Sequence, residues 1–326
     1  MTRKEVKAQK LKSKKFMLMK ISIILVAGIL ISGSAYGFYL VNKAKIAAEK
    51  SYEAVENRDG SVLRTSDVSP LEDNVSILFI GVDDSETRNQ GTDDSRSDAL
   101  MLATLNNKEK TVKLVSIPRD SFVYIPEIGY EDKINHALFK GGVKATIETV
   151  EDLMEVPVDY YVRMNFNAFI DVVDALDGIN VNVPYDRLEK DEEDKFTIQL
   201  KKGFQKLDGR EALALARTRM LDNDIERGKR QQEILAAIVK KASSASSFTK
   251  YGEVIDAVGD NMKTDMTFDE MKSFLSYLKD GMPLVDSMTL SGTDDTSTKT
   301  YFWRLDQEAL TETQNILKDH LELEEE

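Results

Sequence analysis

From Ile21 to Val41 the chain runs without a single charged side chain. A helix of that length, at about 1.5 Å per residue, covers roughly the 30 Å hydrocarbon core of a bilayer. Residues 1–20 carry eight basic side chains and one acid, Glu5, a local charge of +7. Positive flanks stay in the cytoplasm. The expectation is therefore a basic cytoplasmic tail over 1–20, a transmembrane helix over 21–41 and the remainder outside the cell membrane, a single-pass type II arrangement. Tyr36, Phe38 and Tyr39 fall near one end of the run, where amphipathic rings favour the interface. A cleaved signal peptide also pairs basic and apolar stretches, and Gly33-Ser34-Ala35 is a passable cleavage site, but the run exceeds the usual ~7–15 residues. Both readings place the bulk of the chain outside the cytoplasm.

The chain has no cysteine among its 326 residues, which excludes disulfide scaffolds, thiol nucleophiles and thiolate metal sites. Its two histidines, His136 and His320, argue against a histidine-rich metal centre or relay. Formal net charge is −13, and −20 without the first twenty residues, so the exported part repels nucleic acid and no nucleic-acid partner is expected. An exported domain without disulfides suits a Gram-positive cell surface.

Residues 42–74 are polar and charged and read as a stalk and linker. Ser76–Val82, Ala99–Leu105 and Thr111–Ile117 are short apolar runs whose near continuity predicts strands buried on both faces. Further strands are expected at 158–164, 179–183, 197–201 and 286–290, and helices at 143–155, 166–177, 208–217, 225–243, 249–258, 267–279 and 306–323. Such alternation predicts an α/β fold, an α/β/α sandwich with a mixed central sheet. A core over 75–245 and a C-terminal extension over 246–326 packed on the same domain complete the expected organisation.

The nucleophile elbow, phosphate-loop, dinucleotide and zinc signatures are missing. Acids and arginines at strand ends remain. Asp83 and Asp84 follow the first strand, and Arg96-Ser97-Asp98 falls just before the second. Carboxylates at neighbouring strand ends suit Mg²⁺, which keeps waters and shares phosphate oxygens; they equally suit turn caps. Arg119, in Ile117-Pro118-Arg119-Asp120, is aimed across the same end, unless it forms a plain surface ion pair. Asp132-Lys133-Ile134-Asn135-His136 adds one more cation. Arg217 and Arg219 leave a helix end together, Asp224 is a credible N-cap, and Arg227, Arg230 and Gln231 share one face of the next helix. Arginines gathered near a helix N-terminus point to a phosphate ligand, whereas Asp222, Asp224 and Glu226 would balance a solvated face.

Taken together, Ile80-Gly81-Val82-Asp83, Arg96-Ser97-Asp98, Val115 through Asp120, Asp132 through Ala137, Val156 through Tyr161 and Arg217 through Gln232 resemble the LytR-CpsA-Psr family of Gram-positive cell-envelope proteins, in its LytR-like branch. The resemblance implies a membrane-anchored phosphotransferase. Such an enzyme moves an anionic glycopolymer, wall teichoic acid or a similar polysaccharide, from an undecaprenyl diphosphate carrier to peptidoglycan, forming a phosphodiester. By family position Asp83 and Asp98 would hold Mg²⁺ and be candidates, with Arg119, for the catalytic groups. Arg119, Lys133, Arg217, Arg219, Asp224, Arg227 and Gln231 would form the diphosphate site, beside an apolar tunnel for the lipid. The loop from Asp83 to Asp98 is longer and more acidic than the family pattern, and the stretch from Arg219 to Arg227 is shorter.

The competing reading keeps the pocket and removes the chemistry, giving a polyprenyl-diphosphate-binding sensor or scaffold of cell-wall assembly. Turnover of a lipid-linked glycan separates the two.

Overall fold

The computed structural model describes residues 31–82, 96–191, 195–218, 224–278, 283–297 and 299–323, and falls into two units, Met1–Ile46 and Ala47–Glu326. The basic tail and residues 21–30 of the expected membrane span lie outside the described residues. A helix, α1, covers 31–51. In the first unit the Tyr36 and Tyr39 rings stack 6.2 Å apart, and Lys43 Nζ donates to the Tyr39 hydroxyl at 3.3 Å, as i, i+3 and i, i+4 neighbours on one helical face do. Among the described residues no helix is long and apolar enough to cross a membrane.

In the second unit the chain order is β1 Val75–Val82, β2 Ser97–Asn106, β3 Thr111–Ile117, β4 Phe122–Ile125, β5 Tyr130–Lys133, α2 His136–Met154, β6 Tyr160–Asn165, α3 Phe166–Ala175, β7 Ile179–Val183, β8 Arg187–Lys190, β9 Phe196–Leu200, β10 Gly203–Leu207, α4 Gly209–Arg217 and α5 Asp224–Ala242. There follow α6 Tyr251–Asn261, β11 Met262–Thr264, α7 Phe268–Ser273, β12 Leu284–Thr289, β13 Gly292–Asp295, β14 Phe302–Leu305 and α8 Gln307–Leu321. Six strands form one mixed sheet in the order β11-β6-β1-β2-β3-β12. β6 runs parallel to β1, and β12 parallel to β3, while β2 runs against both β1 and β3. The ends of β1, β3, β6 and β12 and the beginning of β2 therefore meet at one end of the sheet.

Helices cover both faces, as the unbroken apolarity of β1 to β3 requires. On one face Leu78, Ile80, Leu100, Leu102 and Val115 pack against α2 and α8 through Ile147, Val150, Leu310 and Leu317. On the other, Ile77, Ala103, Leu114 and Val162 meet Leu235, Val258 and Met266. This is the expected sandwich with a mixed sheet. The helix expected from 143 is present and is preceded by a short one from His136; the two meet at a break at Gly141 and Gly142, the latter at φ 68°, a region that favours glycine. The helix expected over 267–279 stops at Ser273 and tightens into a 3₁₀ segment, Phe274–Leu278.

Of the stretch 42–74, residues from 52 onward lie against the domain. Glu53 N–H donates to Thr264 O at 2.8 Å, Arg58 pairs with Glu151 at 2.9 Å, and Arg64 pairs with Asp159 at 2.6 Å. Of the segment 246–326, β11 and β12 supply both edges of the central sheet.

Candidate functional site

A cavity of about 490 Å³ opens between the second sheet face and helices α3, α4 and α5. Its inner wall is apolar: Phe79, Met101, Val162 and Met164 from the sheet, Phe169 and Val172 from α3, Ile234 and Ile238 from α5. Asp98, Arg119, Arg217, Arg227 and Gln231 line the same cavity. One space thus joins a cationic end to a hydrocarbon-like body.

Asp98 owes its position to a fault in the ladder. Gly81 pairs with Ala99 but Val82 pairs with Ser97, so Asp98 is the extra residue of a β-bulge. Strict alternation would place it with Leu100 and Leu102 under α2 and α8; bulges re-aim side chains in this way. Gly81 and Ala99 also keep the cavity wall thin, since a Cβ at Gly81 would lie 3.1 Å from that of Ala99.

Arg119 sits in the turn after β3. Ser121 closes this turn, its hydroxyl donating to Pro118 O at 2.6 Å and its N–H to the same oxygen at 3.0 Å. From there the Arg119 guanidinium forms an ion pair with Asp98. Lys133 does not line the cavity. Its Nζ donates to Asp120 Oδ1 at 2.8 Å, and Asp120 Oδ2 faces Arg119 Nε across 3.6 Å. Nearby, burial pushes the Asp132 carboxyl up, but hydrogen bonds from His136 and from the Lys133 N–H, with the charges of His136 and Lys140, outweigh it and hold it below its ordinary value.

Arg217 closes α4. That helix starts with a capping box between Asp208 and Glu211, and its Gly209 lies where a Cβ would come within 2.4 Å of Ile170 O, so α4 is pinned tightly on α3. The Arg217 guanidinium carbon lies 4.6 Å from the Phe166 ring centroid, and Nη1 donates to Asp191 O at 3.1 Å. Arg227, in the first turns of α5, is 5% exposed. Its neighbour Gly228 lets α5 press on the sheet, because a Cβ there would meet Ser116 Oγ at 2.8 Å. Gln231 Nε2 donates to Ala216 O at 3.2 Å. Arg230 turns elsewhere and secures the end of α4, donating to Thr218 O at 2.8 Å and Leu215 O at 3.3 Å.

The structure therefore brings together Asp98, Arg119, Arg217, Arg227 and Gln231, with Lys133 one residue removed. Asp83 and Arg219 lie outside the described residues, as does the side chain of Asp224, which opens α5. Sequence reasoning passed over Glu189, a cavity-lining carboxylate only 4% exposed. It accepts from Thr218 Oγ1 at 2.6 Å and pairs with Arg187 Nε at 3.1 Å. In the sequence it opens the run Glu189-Lys190-Asp191-Glu192-Glu193-Asp194, which reads as solvated charge; only the pairing of β8 with β9 buries it.

For a metal, the donors near Arg119 are oxygens. Asp98 offers a carboxylate, and the fully buried Ser97 hydroxyl beside it has no hydrogen-bond partner among the described residues. No group of three acids or histidines able to hold a metal occurs among those residues. One carboxylate beside an arginine-lined cavity nevertheless fits Mg²⁺, which takes most ligands from water and phosphate.

The model of the LytR_cpsA_psr family matches residues 38–319. The Bacillus subtilis polyisoprenyl-teichoic acid–peptidoglycan teichoic acid transferase TagT is 37% identical over 323 residues, spanning 97% of this chain and 99% of the relative. The solved structure of TagT bound to LIIa-WTA superposes with a TM-score of 0.71 at 37% identity, covering 83% of this chain and 99% of that one. A second, the LytR-CPS2A-psr family protein YwtF (TagT) with bound octaprenyl pyrophosphate lipid, gives 0.67 at 35% identity over 83% and 99%.

Proposed function

This chain belongs to the LytR_cpsA_psr family, and on that premise we propose that it is a phosphotransferase that moves a polyprenyl-diphosphate-linked anionic glycopolymer, of the teichoic acid class, onto peptidoglycan. The observation that carries the reading is the cavity itself. Its three arginines and Gln231 stand at one end of an apolar chamber, the shape and polarity of a lipid diphosphate. The relative that holds octaprenyl pyrophosphate has the same fold.

In this reading an acceptor sugar hydroxyl attacks the phosphorus that bears the glycopolymer. The new bond is a phosphodiester, the old bond to the second phosphate breaks, and a polyprenyl monophosphate leaves. Arg119, Arg217 and Arg227 bind the diphosphate oxygens and stabilise the charge that grows on the leaving group; Gln231 adds an amide donor. The Phe166 ring packs against the Arg217 guanidinium, its centroid 4.6 Å from Cζ, and limits where that group can swing. We assign Asp98 as the carboxylate that takes the hydroxyl proton, with Asp83 as the alternative. Asp98 with Asp83 would hold Mg²⁺, which when bound supplies further charge neutralisation at the diphosphate. Arg219, Lys133 and Asp224 belong to the same proposed cradle.

The uncharged run 21–41 is proposed as the single membrane anchor, with the domain outside the cell. A tether to the bilayer raises the effective concentration of enzyme near a lipid-borne donor. Extraction of the full chain only by detergent, and digestion of the domain by protease added outside intact cells, are the expected results.

The test of function is direct. Full-length protein in detergent, given a polyprenyl-diphosphate-linked teichoic acid, peptidoglycan and Mg²⁺, should yield polymer covalently joined to peptidoglycan. Tight binding of the lipid with no joined product would favour the sensor reading instead.

A further inference from the structure

Asp120 is 5% exposed and belongs to no group assigned above. Its carboxylate stands between two cations of the proposed cradle, accepting from Lys133 Nζ at 2.8 Å with one oxygen and facing Arg119 Nε at 3.6 Å with the other. Its backbone carbonyl accepts from the Trp303 N–H at 2.9 Å, and Ser121 forms a bridge with Trp303. Trp303 lies in β14, the second strand of the C-terminal hairpin. Two further layers tie that hairpin to the turn. The Phe302 ring meets Phe122 edge-on at 4.7 Å, and the Lys133 ammonium lies 5.7 Å from the Tyr301 centroid and 5.8 Å from that of Phe302. Arg304 covers Phe122 from 3.8 Å and is itself anchored by Asp295 at 2.8 Å.

We infer that Asp120 is a positioning residue for the transfer reaction, and that the β13–β14 hairpin is the clamp that holds it: together they set the directions of Arg119 and Lys133. This rests on the transferase reading above. A carboxylate buried between two cations is a poor way merely to stabilise a turn, since an apolar pair of similar volume does as well. What the charge adds is direction. With Asp120 fixed by the hairpin, Lys133 is drawn along β5 toward Arg119, and Arg119 has an acid on its Nε side while its Nη1 meets Asp98. Without it, Lys133 loses its counter-charge and Arg119 is oriented by Asp98 alone.

The experiment uses the full chain with Asp120→Asn, Lys133→Met, the double substitution, and Asp120→Glu. A crystal structure of the Asp120→Asn protein should show Lys133 Nζ displaced from residue 120 and the Arg119 guanidinium reoriented; both side chains unmoved would overturn the inference. In the transfer assay Asp120→Asn should lower kcat on the order of 10- to 100-fold, the effect of a misplacement near 1 Å. KM for the lipid donor should change much less, and Asp120→Glu should recover part of the rate. Because Asp120 acts in part through Lys133, the double variant should lose less than the product of the two single losses. Losses that multiply, or a change in KM alone, would refute the positioning role. A wild-type protein that transfers nothing would refute the transferase reading, while the crystal structure would still decide whether Asp120 positions the two cations.

Discussion

Two ends of the same sheet use arginine in opposite ways. Where β1 and β6 begin, Arg58 and Arg64 each meet one buried acid, Glu151 and Asp159, and fill the remaining positions with the carbonyls of Val158 and Asn74. Asp159 is further held by the Ser76 N–H at 2.8 Å. Where β1 and β6 end, three arginines line one cavity with Asp98 and Glu189. The first arrangement is closed and pairwise; the second concentrates positive charge on a chamber wide enough for a ligand. The cavity arginines also have partners within the chain, Asp98 for Arg119 and the Asp191 carbonyl for Arg217, but they line an open space as well.

The comparison is broken most severely by opening a closed pair. Arg64→Met leaves Asp159 buried without its guanidinium and should lower stability by ~3–5 kcal/mol, read by denaturant unfolding, with the folded fraction transferring polymer at the normal rate. Next in size, Arg217→Ala should slow transfer on the order of 100-fold, about 3 kcal/mol, while the thermal midpoint stays close to wild type. Equal loss of stability in Arg217→Ala and Arg64→Met would erase the distinction. Filling the apolar end tests the chamber: Val172→Trp, directed into the cavity wall, should weaken binding of octaprenyl diphosphate about tenfold, the lower range for overfilling a packed site. Unchanged affinity would place the lipid elsewhere.

The smallest effect concerns a half-buried acid outside both clusters. Burial lifts the Asp265 carboxyl to about 6 against the pull of the Tyr161 N–H. The folded protein then holds a proton that the unfolded chain has already lost above the ordinary carboxylate value. Stability contributed by this group is full below pH 4, falls as pH rises from about 4 to about 6, and levels off above. Asp265→Asn should flatten that part of the pH–stability curve; thermal melts across pH 4–7 check it.

Much of the frame was legible from residues alone. Thr111–Ile117 is a strand to the residue, β1 exceeds its expected run by one residue at its start, and β2 by two at its start and one at its end, because burial on both faces leaves an apolar run no other explanation. Arg217 and Arg227 were legible as well, since their spacing around the α4–α5 junction brings them to one cavity, whereas Arg230, expected beside them, turns to the end of α4. The short hairpins were not. Tyr130-Glu131-Asp132-Lys133 and Arg187-Leu188-Glu189-Lys190 carry too few apolar residues to show a period, yet β5 and β8 bring the Lys133 contact and the buried Glu189 to the site. A charged residue reads as solvent-facing until its partner strand is known. Asp98 was found as a residue but not as a bulge, since register is a property of two strands together.

That bulge has a consequence for how the molecule tolerates change. Asp98 takes its bearing from the Gly81–Ala99 rung on its downstream side, so residues added or removed between Asp83 and Arg96 need not disturb it. Removing one residue at 97 or 98 would instead restore even spacing and turn the side chain left just before Ala99 toward the face of Leu100 and Leu102. Length is therefore free upstream of this point and frozen at it, and inherited or engineered indels should cluster accordingly.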